Sequence, residues 1–231
     1  MPLAGTSDNW RLAIGFWALP VLLSALLWAS WVRAQQPPAP APVLLSAGRS
    51  MWRSAKAWQV TLFMGVQSTV FYVIITWLPT IEGSLGIDAS VAGWHLFLFQ
   101  IVGIVSGIGV TSFMRRRTDH RAVGIAVSTM MIVVMTGLLL APGFIVVWIV
   151  VAGLSAGSSI VVVLSLISLR TRTTGQAGQL SGMAQGVGYL VAAVGPAAAG
   201  ALHKATGSWT GPIVGIVALA TVQLLSAALA G

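Results

Sequence analysis

A chain of 231 residues that is 57% hydrophobic and only 7% charged has too little polar surface to cover a water-soluble globule, in which about 25% of residues are charged. Its mean hydropathy of +0.92 agrees with an integral membrane protein. The net charge of +8 does not point to nucleic acid, because no basic stretch is interleaved with exposed aromatics; the absence of cysteine excludes thiol catalysis, thiolate metal sites and disulfides.

A helix needs about 20 apolar residues to cross the hydrocarbon core, and the intervals between charges supply them in order. Trp10–Val32 is the first span. Lys56 to Glu82 encloses a second, Asp88 to Arg115 a third, and Arg121 to Arg170 is long enough for a fourth and a fifth separated at Pro142-Gly143. Arg172 to Lys204 gives a sixth and the remainder a seventh. The fold class expected is therefore all-α and membrane-spanning, with seven transmembrane helices. Residues 33–56 contain QQPPAPAP and read as an extended basic linker, which divides the chain into 1–32, 33–56 and 57–231. The first span is too long and too poorly flanked for a cleaved signal peptide.

Loop charges orient the spans. Arg33, Arg49, Arg53, Lys56, Arg115, Arg116, Arg117, Arg121, Arg170 and Arg172 fall on one side, and Arg11 and Lys204 on the other. Basic residues in short loops stay in the cytoplasm, so the pattern predicts an outside N-terminus and a cytoplasmic C-terminus in a bacterial inner membrane.

Four segments carry a resemblance: WRLAIGFWALP (10–20), AWQVTLFMGVQSTVFYVIITWLPTI (57–81), LRTRTTGQAGQLSGMAQGVGYLVAAVGP (169–196) and GALHKATGSW (200–209). Together they resemble the major facilitator superfamily, and within it the cyanate and 2-nitroimidazole transporter branch. The resemblance implies the sixth helix of that fold, its central loop, and a C-terminal bundle of six helices built as two inverted three-helix repeats. It implies a small transported solute, such as cyanate or a nitroimidazole-like compound, and a bilayer as the surrounding medium. A separate N-terminal half would be the protein partner, with the alternative that the chain is a truncated remnant. The echo between Gln100-Ile-Val-Gly103 and Gln185-Gly-Val-Gly188 lies where the inverted repeat would place counterparts.

No Asp, Glu, Lys or Arg falls at the centre of a span, so uncharged polar residues become the solute-cavity candidates: Gln67 and Tyr72 in the second span, with Phe71 and Thr76 beside them, Gln100 in the third, and Ser181, Gln185 and Tyr189 at i, i+4, i+8 in the sixth. The competing role is interhelical bonding that holds the bundle together. Glu82 and His95, near the outer ends of their spans, are either solvated helix-end residues or the groups that couple transport to protons. The loop MRRRTDHR (114–121) stands where the superfamily carries a Gly-Asp-Arg pattern, without the leading glycine, and makes Arg116, Arg117, Asp119 and Arg121 candidates for a cytoplasmic latch. Gly178, Gly182 and Gly186 repeat at packing intervals, and Gly195-Pro196 is a kink or hinge candidate. Trp10, Trp77, Trp94 and Trp209 stand at span ends and fit an interfacial belt.

Other classes lack their chemistry. A retinal Schiff base needs a lysine inside a helix, and Lys56 and Lys204 are interfacial. HExxH does not occur, nor does a pair of intramembrane carboxylates, so no enzyme is expected. No motif calls for a cofactor, a metal or nucleic acid.

Overall fold

The structure is a computed structural model that describes residues 10–34, 50–115 and 121–229. These divide into two units at Ser46/Ala47. The first holds a single helix, α1 (Trp10–Ala34). The second holds six: α2 (Ala55–Ser84), α3 (Ala89–Met114), α4 (Arg121–Leu140), α5 (Ile145–Leu169), α6 (Thr174–Thr206) and α7 (Thr210–Leu229). Each of these six is long and apolar enough to cross a bilayer, whereas the apolar stretch of the first unit, Ala18–Arg33, is shorter. Most of the expected linker lies outside the described residues. Its described end is a short 3-10 turn at Met51–Arg53, and α2 already begins at Ala55.

Local sequence explains where the helices start and stop. Ser54 caps α2 by accepting from the Ala57 amide. Asp88 caps α3: the Ser90 hydroxyl and amide both donate to its Oδ1, at 2.6 and 2.8 Å, and these bonds hold the Asp88 carboxyl below the usual carboxylate range. At the head of α6, Thr173 accepts from the Gln176 amide while the Gln176 side chain accepts from the Arg172 amide, a variant of the capping box. The helix closes at Gly207, whose φ of 67° suits glycine and whose amide donates to the His203 carbonyl. Pro142-Gly143 breaks the fourth interval as expected, through a 3-10 turn at Pro142–Phe144. Trp148 fastens that corner by donating to the Ala141 carbonyl at 2.9 Å.

The six helices pack chiefly as three pairs, α2 with α6, α3 with α5 and α4 with α7. If α2-α3-α4 is exchanged with α5-α6-α7 in order, the first pair becomes the second and the third maps onto itself. That is the contact pattern of two inverted three-helix repeats.

Lipid is as apolar as leucine, so close backbone approach and a few polar bonds hold such pairs together. At the α3–α5 crossing, a Cβ on Gly157 would collide with the Gly103 carbonyl, and one on Gly153 would lie 2.7 Å from the Phe99 carbonyl. Ser106 donates across the same contact to the Leu154 carbonyl at 2.8 Å. At the α2–α6 crossing, Gly65 faces Gly188, Gly195 faces Thr69, and Gly200 faces the Trp77 ring. Trp77 also donates to the Pro196 carbonyl at 2.8 Å. Buried polar bonds tie α5 to its other neighbours, Ser155 to the Val127 carbonyl and Gln223 to Ser159.

Two expectations change here. Gly178, Gly182 and Gly186 face open space, so the glycines that pack α6 against α2 are Gly188, Gly195 and Gly200. Trp77 and Trp209 do not form a belt: their rings lie 5.3 Å apart, Trp209 is buried, and its ring stacks on His203. Trp94 alone among the described three is freely exposed. The helix α6 runs unbroken through Gly195-Pro196, where Gly195 serves as a packing surface against α2.

Gly157→Ala is expected to cost about 1–3 kcal/mol, because its methyl meets backbone that has nowhere to go. Gly182→Ala is expected to be neutral or to stabilise α6 by about 0.5–1 kcal/mol. Unfolding in mixed micelles followed by circular dichroism compares the two, and equal destabilisation would contradict the packing described.

Candidate functional site

A cavity of about 420 Å³ opens between α2, α3, α5 and α6. Its walls come from the crossings just described. Gly103 and Gly107 on α3 and Gly157 on α5 form a floor of bare backbone, and α2 supplies Gln67, Ser68, Phe71 and Tyr72. Phe99 and Gln100 come from α3 and Tyr189 from α6. Gln67, Gln100 and Tyr189 all lie near the middle of their helices, which is mid-depth for a spanning segment.

One side of the cavity is aromatic. The Phe71 ring lies 5.9 Å from Phe99 at 31° and 5.7 Å from Tyr72 at 70°, within the range at which rings attract one another. The lining also carries polar groups. The Gln67 amide nitrogen is held by Ser68 Oγ at 2.8 Å, which fixes the carboxamide at the cavity wall. Gln100, Tyr72 and Tyr189 make no side-chain hydrogen bond among the described residues, and all three are exposed. A carboxamide and two phenols at that depth need partners, so this surface suits water, a solute or a second protein better than acyl chains. An amide donor and acceptor beside an aromatic wall can orient a small, flat, polar solute.

Four of the six expected cavity residues therefore meet at one place: Gln67, Tyr72, Gln100 and Tyr189. Ser181 and Gln185 do not. Gln185 donates to Ser181 Oγ at 2.6 Å, one turn back on its own helix, and neither lines the cavity. The expected stripe on α6 is thus split, and Tyr189 alone reaches the cavity. Thr76 is also outside it. The sequence reading missed Ser68, Phe99 and the glycine floor; the first two adjoin residues it chose.

Glu82 and His95 are not solvated helix-end residues. Glu82 is completely buried, His95 retains 15% of its side-chain exposure, and His95 Nδ1 lies 2.6 Å from Glu82 Oε1. The other carboxylate oxygen, Oε2, is buried without a hydrogen-bond partner among the described residues. His95 lies four residues before Phe99, one helical turn from the cavity lining toward the start of α3. Of the latch candidates, Arg116, Arg117 and Asp119 lie outside the described residues; Arg121 is the exposed first residue of α4.

Comparison with known proteins follows this geometry. The sequence model of the Major Facilitator Superfamily matches residues 1–196. The chain is similar to the 2-nitroimidazole transporter of Escherichia coli, with 36% identity over 231 residues, covering 100% of this chain and 59% of the relative. It is 37% identical to the uncharacterized transporter YycB of Bacillus subtilis over 226 residues, covering 96% of this chain and 56% of that protein. It is 24% identical to the cyanate transport protein CynX of Escherichia coli over 208 residues, 88% of this chain and 52% of that one. The chain thus spans little more than half the length of these relatives.

Because the chain has no cysteine, single cysteines report their own surroundings. With a membrane-impermeant thiol reagent, Gln100→Cys is expected to react about tenfold faster than Gln185→Cys, since a thiol on a cavity open to water forms the reactive thiolate more readily than one turned away from it. Equal rates would contradict the separation of these two glutamines.

Proposed function

The chain belongs to the major facilitator superfamily, and from that premise we propose that it is the C-terminal portion of a secondary carrier for a small polar solute. The observation that carries this reading is the cavity at mid-depth, where Gln67, Gln100, Tyr72 and Tyr189 converge. Carriers built from repeats hold their solute near the midplane between two bundles, and this cavity supplies one wall of such a site.

The faces beside the cavity support a missing second bundle. On α3, Phe97, Ile101, Ile104, Val105 and Ile108 are exposed, and on α6 so are Leu190, Val191 and Val194. These apolar rows flank polar Gln100 and Tyr189, and the bare edge of Gly178, Gly182 and Gly186 continues along α6. Small residues on an open helix face admit close approach by another helix. The length that this chain lacks relative to its relatives provides an occupant, supplied either by a separate N-terminal half or by a longer form of the same protein. We place the basic loops in the cytoplasm by their charge.

The solute class follows from the wall chemistry: small, flat, able to donate and accept hydrogen bonds, and without need of a permanent counter-charge from these helices. A 2-nitroimidazole has that character, and cyanate would need its counter-charge from the other bundle or from helix termini. Vesicles containing this chain together with a separately produced N-terminal bundle are expected to take up radiolabelled 2-nitroimidazole or cyanate. Gln100→Ala and Gln67→Ala should each raise KM about 2–12-fold, the range of one lost hydrogen bond. Gln185→Ala should stay within about twofold of the parent, by the same arithmetic with no cavity bond lost. Uptake of neither solute, or equal effects of all three substitutions, would contradict the reading.

A further inference from the structure

We propose that Glu82 and His95 form a proton-binding site at the outer end of α2 and α3, filled through the imidazole and placed one helical turn from the solute cavity. The coupling of this site to transport rests on the carrier reading above; the proton site itself does not.

Burial distinguishes the two residues. Glu82 has no exposed surface, while His95 keeps 15%. Of the two side chains, the imidazole is the one with surface open to its surroundings. The 2.6 Å contact runs between Nδ1 and Oε1, which leaves the other ring nitrogen, Nε2, as the point where a proton arrives. With Nδ1 donating to the carboxylate, a proton taken up at Nε2 makes an imidazolium. Transfer of the Nδ1 proton to Oε1 then returns a neutral ring in its other tautomer and leaves a carboxylic acid that donates to Nδ1. One proton enters, one negative charge disappears, and the short contact is kept in both states. Nothing else is consumed.

The unbonded Oε2 is the second observation. A structural carboxylate in a fold with so many hydroxyl groups would be expected to have both oxygens satisfied. Here a single imidazole stabilises the charge, so the charge on Glu82 and the protonation of His95 depend on one another.

The surrounding elements contribute no rival charge. Among the described residues, α5 and α7 contain no ionisable side chain. On the side of α3, the Asp88 carboxylate is taken up by Ser90. At the end of α6, His203 stacks on Trp209 and Lys204 is exposed. Among the described residues, His95 alone bonds the Glu82 carboxylate.

His95 shares its face of α3 with Phe99, which touches Phe71 in the cavity wall. A change in the Glu82–His95 contact therefore has a short packed route to the place where solute would sit.

Glu82 is the sole glutamate of the chain, so its carboxyl can be observed without any substitution. The chain is labelled with δ-carboxyl ¹³C-glutamate, placed in lipid nanodiscs, and its ¹³C resonance followed between about pH 4 and about pH 9. The resonance is expected to titrate as one proton binds, and His95→Gln should change the proton affinity of Glu82 at least about tenfold. A resonance that does not move across this range overturns the site, and superimposable curves for the native chain and His95→Gln overturn the role of the imidazole. For coupling, the carrier assembled with its second bundle is tested for accumulation of 2-nitroimidazole under a pH gradient. Loss of accumulation in Glu82→Gln is expected, and full accumulation overturns the coupling. If the native assembly moves no solute, the carrier reading fails, and the ¹³C titration still decides the proton site.

Discussion

Two backbone crossings set the rest of this structure. Where α3 meets α5 and where α2 meets α6, glycine faces glycine: Gly103 against Gly157, and Gly188 against Gly65. Lipid supplies no hydrophobic push between helices, so association depends on how closely backbones approach and on what they then bond. The two crossings are related by exchange of the inverted repeats, as are the Gln-x-x-Gly segments that contain Gly103 and Gly188. Gln100 and Gln185 thus stand at equivalent places with different fates. Gln100 is on the cavity, whereas Gln185 has turned back to Ser181. The symmetry of the backbone is retained, while only one of the two glutamines lines the cavity.

From those crossings the cavity follows. Glycine on α3 and α5 opens a floor without side chains, and α2 and α6 bring polar and aromatic groups to its rim. The polar residues concentrate where α3 and α6 are least covered, while charged groups sit at the ends of helices. Glu82 also stands at a helix end, but it is completely buried there and bound to histidine. The proposed carrier would account for both features, with a neutral cavity for the solute and a separate ionisable pair for the proton.

Much of this was legible in the residues. Charge intervals fixed the six helices of the bundle to within a few residues, and Pro142-Gly143 marked the corner between α4 and α5 because proline and glycine end helices whatever surrounds them. Gln67, Tyr72, Gln100 and Tyr189 were identifiable as polar groups at mid-span. Facing direction was less accessible. The Gly178-Gly182-Gly186 series has packing spacing yet points to open space, because spacing identifies a face without saying what covers it. Ser181, Gln185 and Tyr189 share a face by periodicity, but a bond within the helix removes Gln185. Glu82 looked like a solvated helix end because its burial is created by neighbours distant in sequence. The inward pairing of Trp77 and Trp209 has the same cause.

The central claim is that a solute occupies the cavity between α2, α3, α5 and α6. Substrate protection tests it most directly: in the carrier assembled with its second bundle, thiol labelling of Gln100→Cys is followed with and without saturating 2-nitroimidazole or cyanate. The account predicts that a transported solute slows labelling at least about tenfold, as expected for a site mostly occupied, while labelling of Gly83→Cys, outside the cavity lining, is unchanged. Equal labelling of Gln100→Cys with and without a solute that the same vesicles demonstrably transport would contradict it.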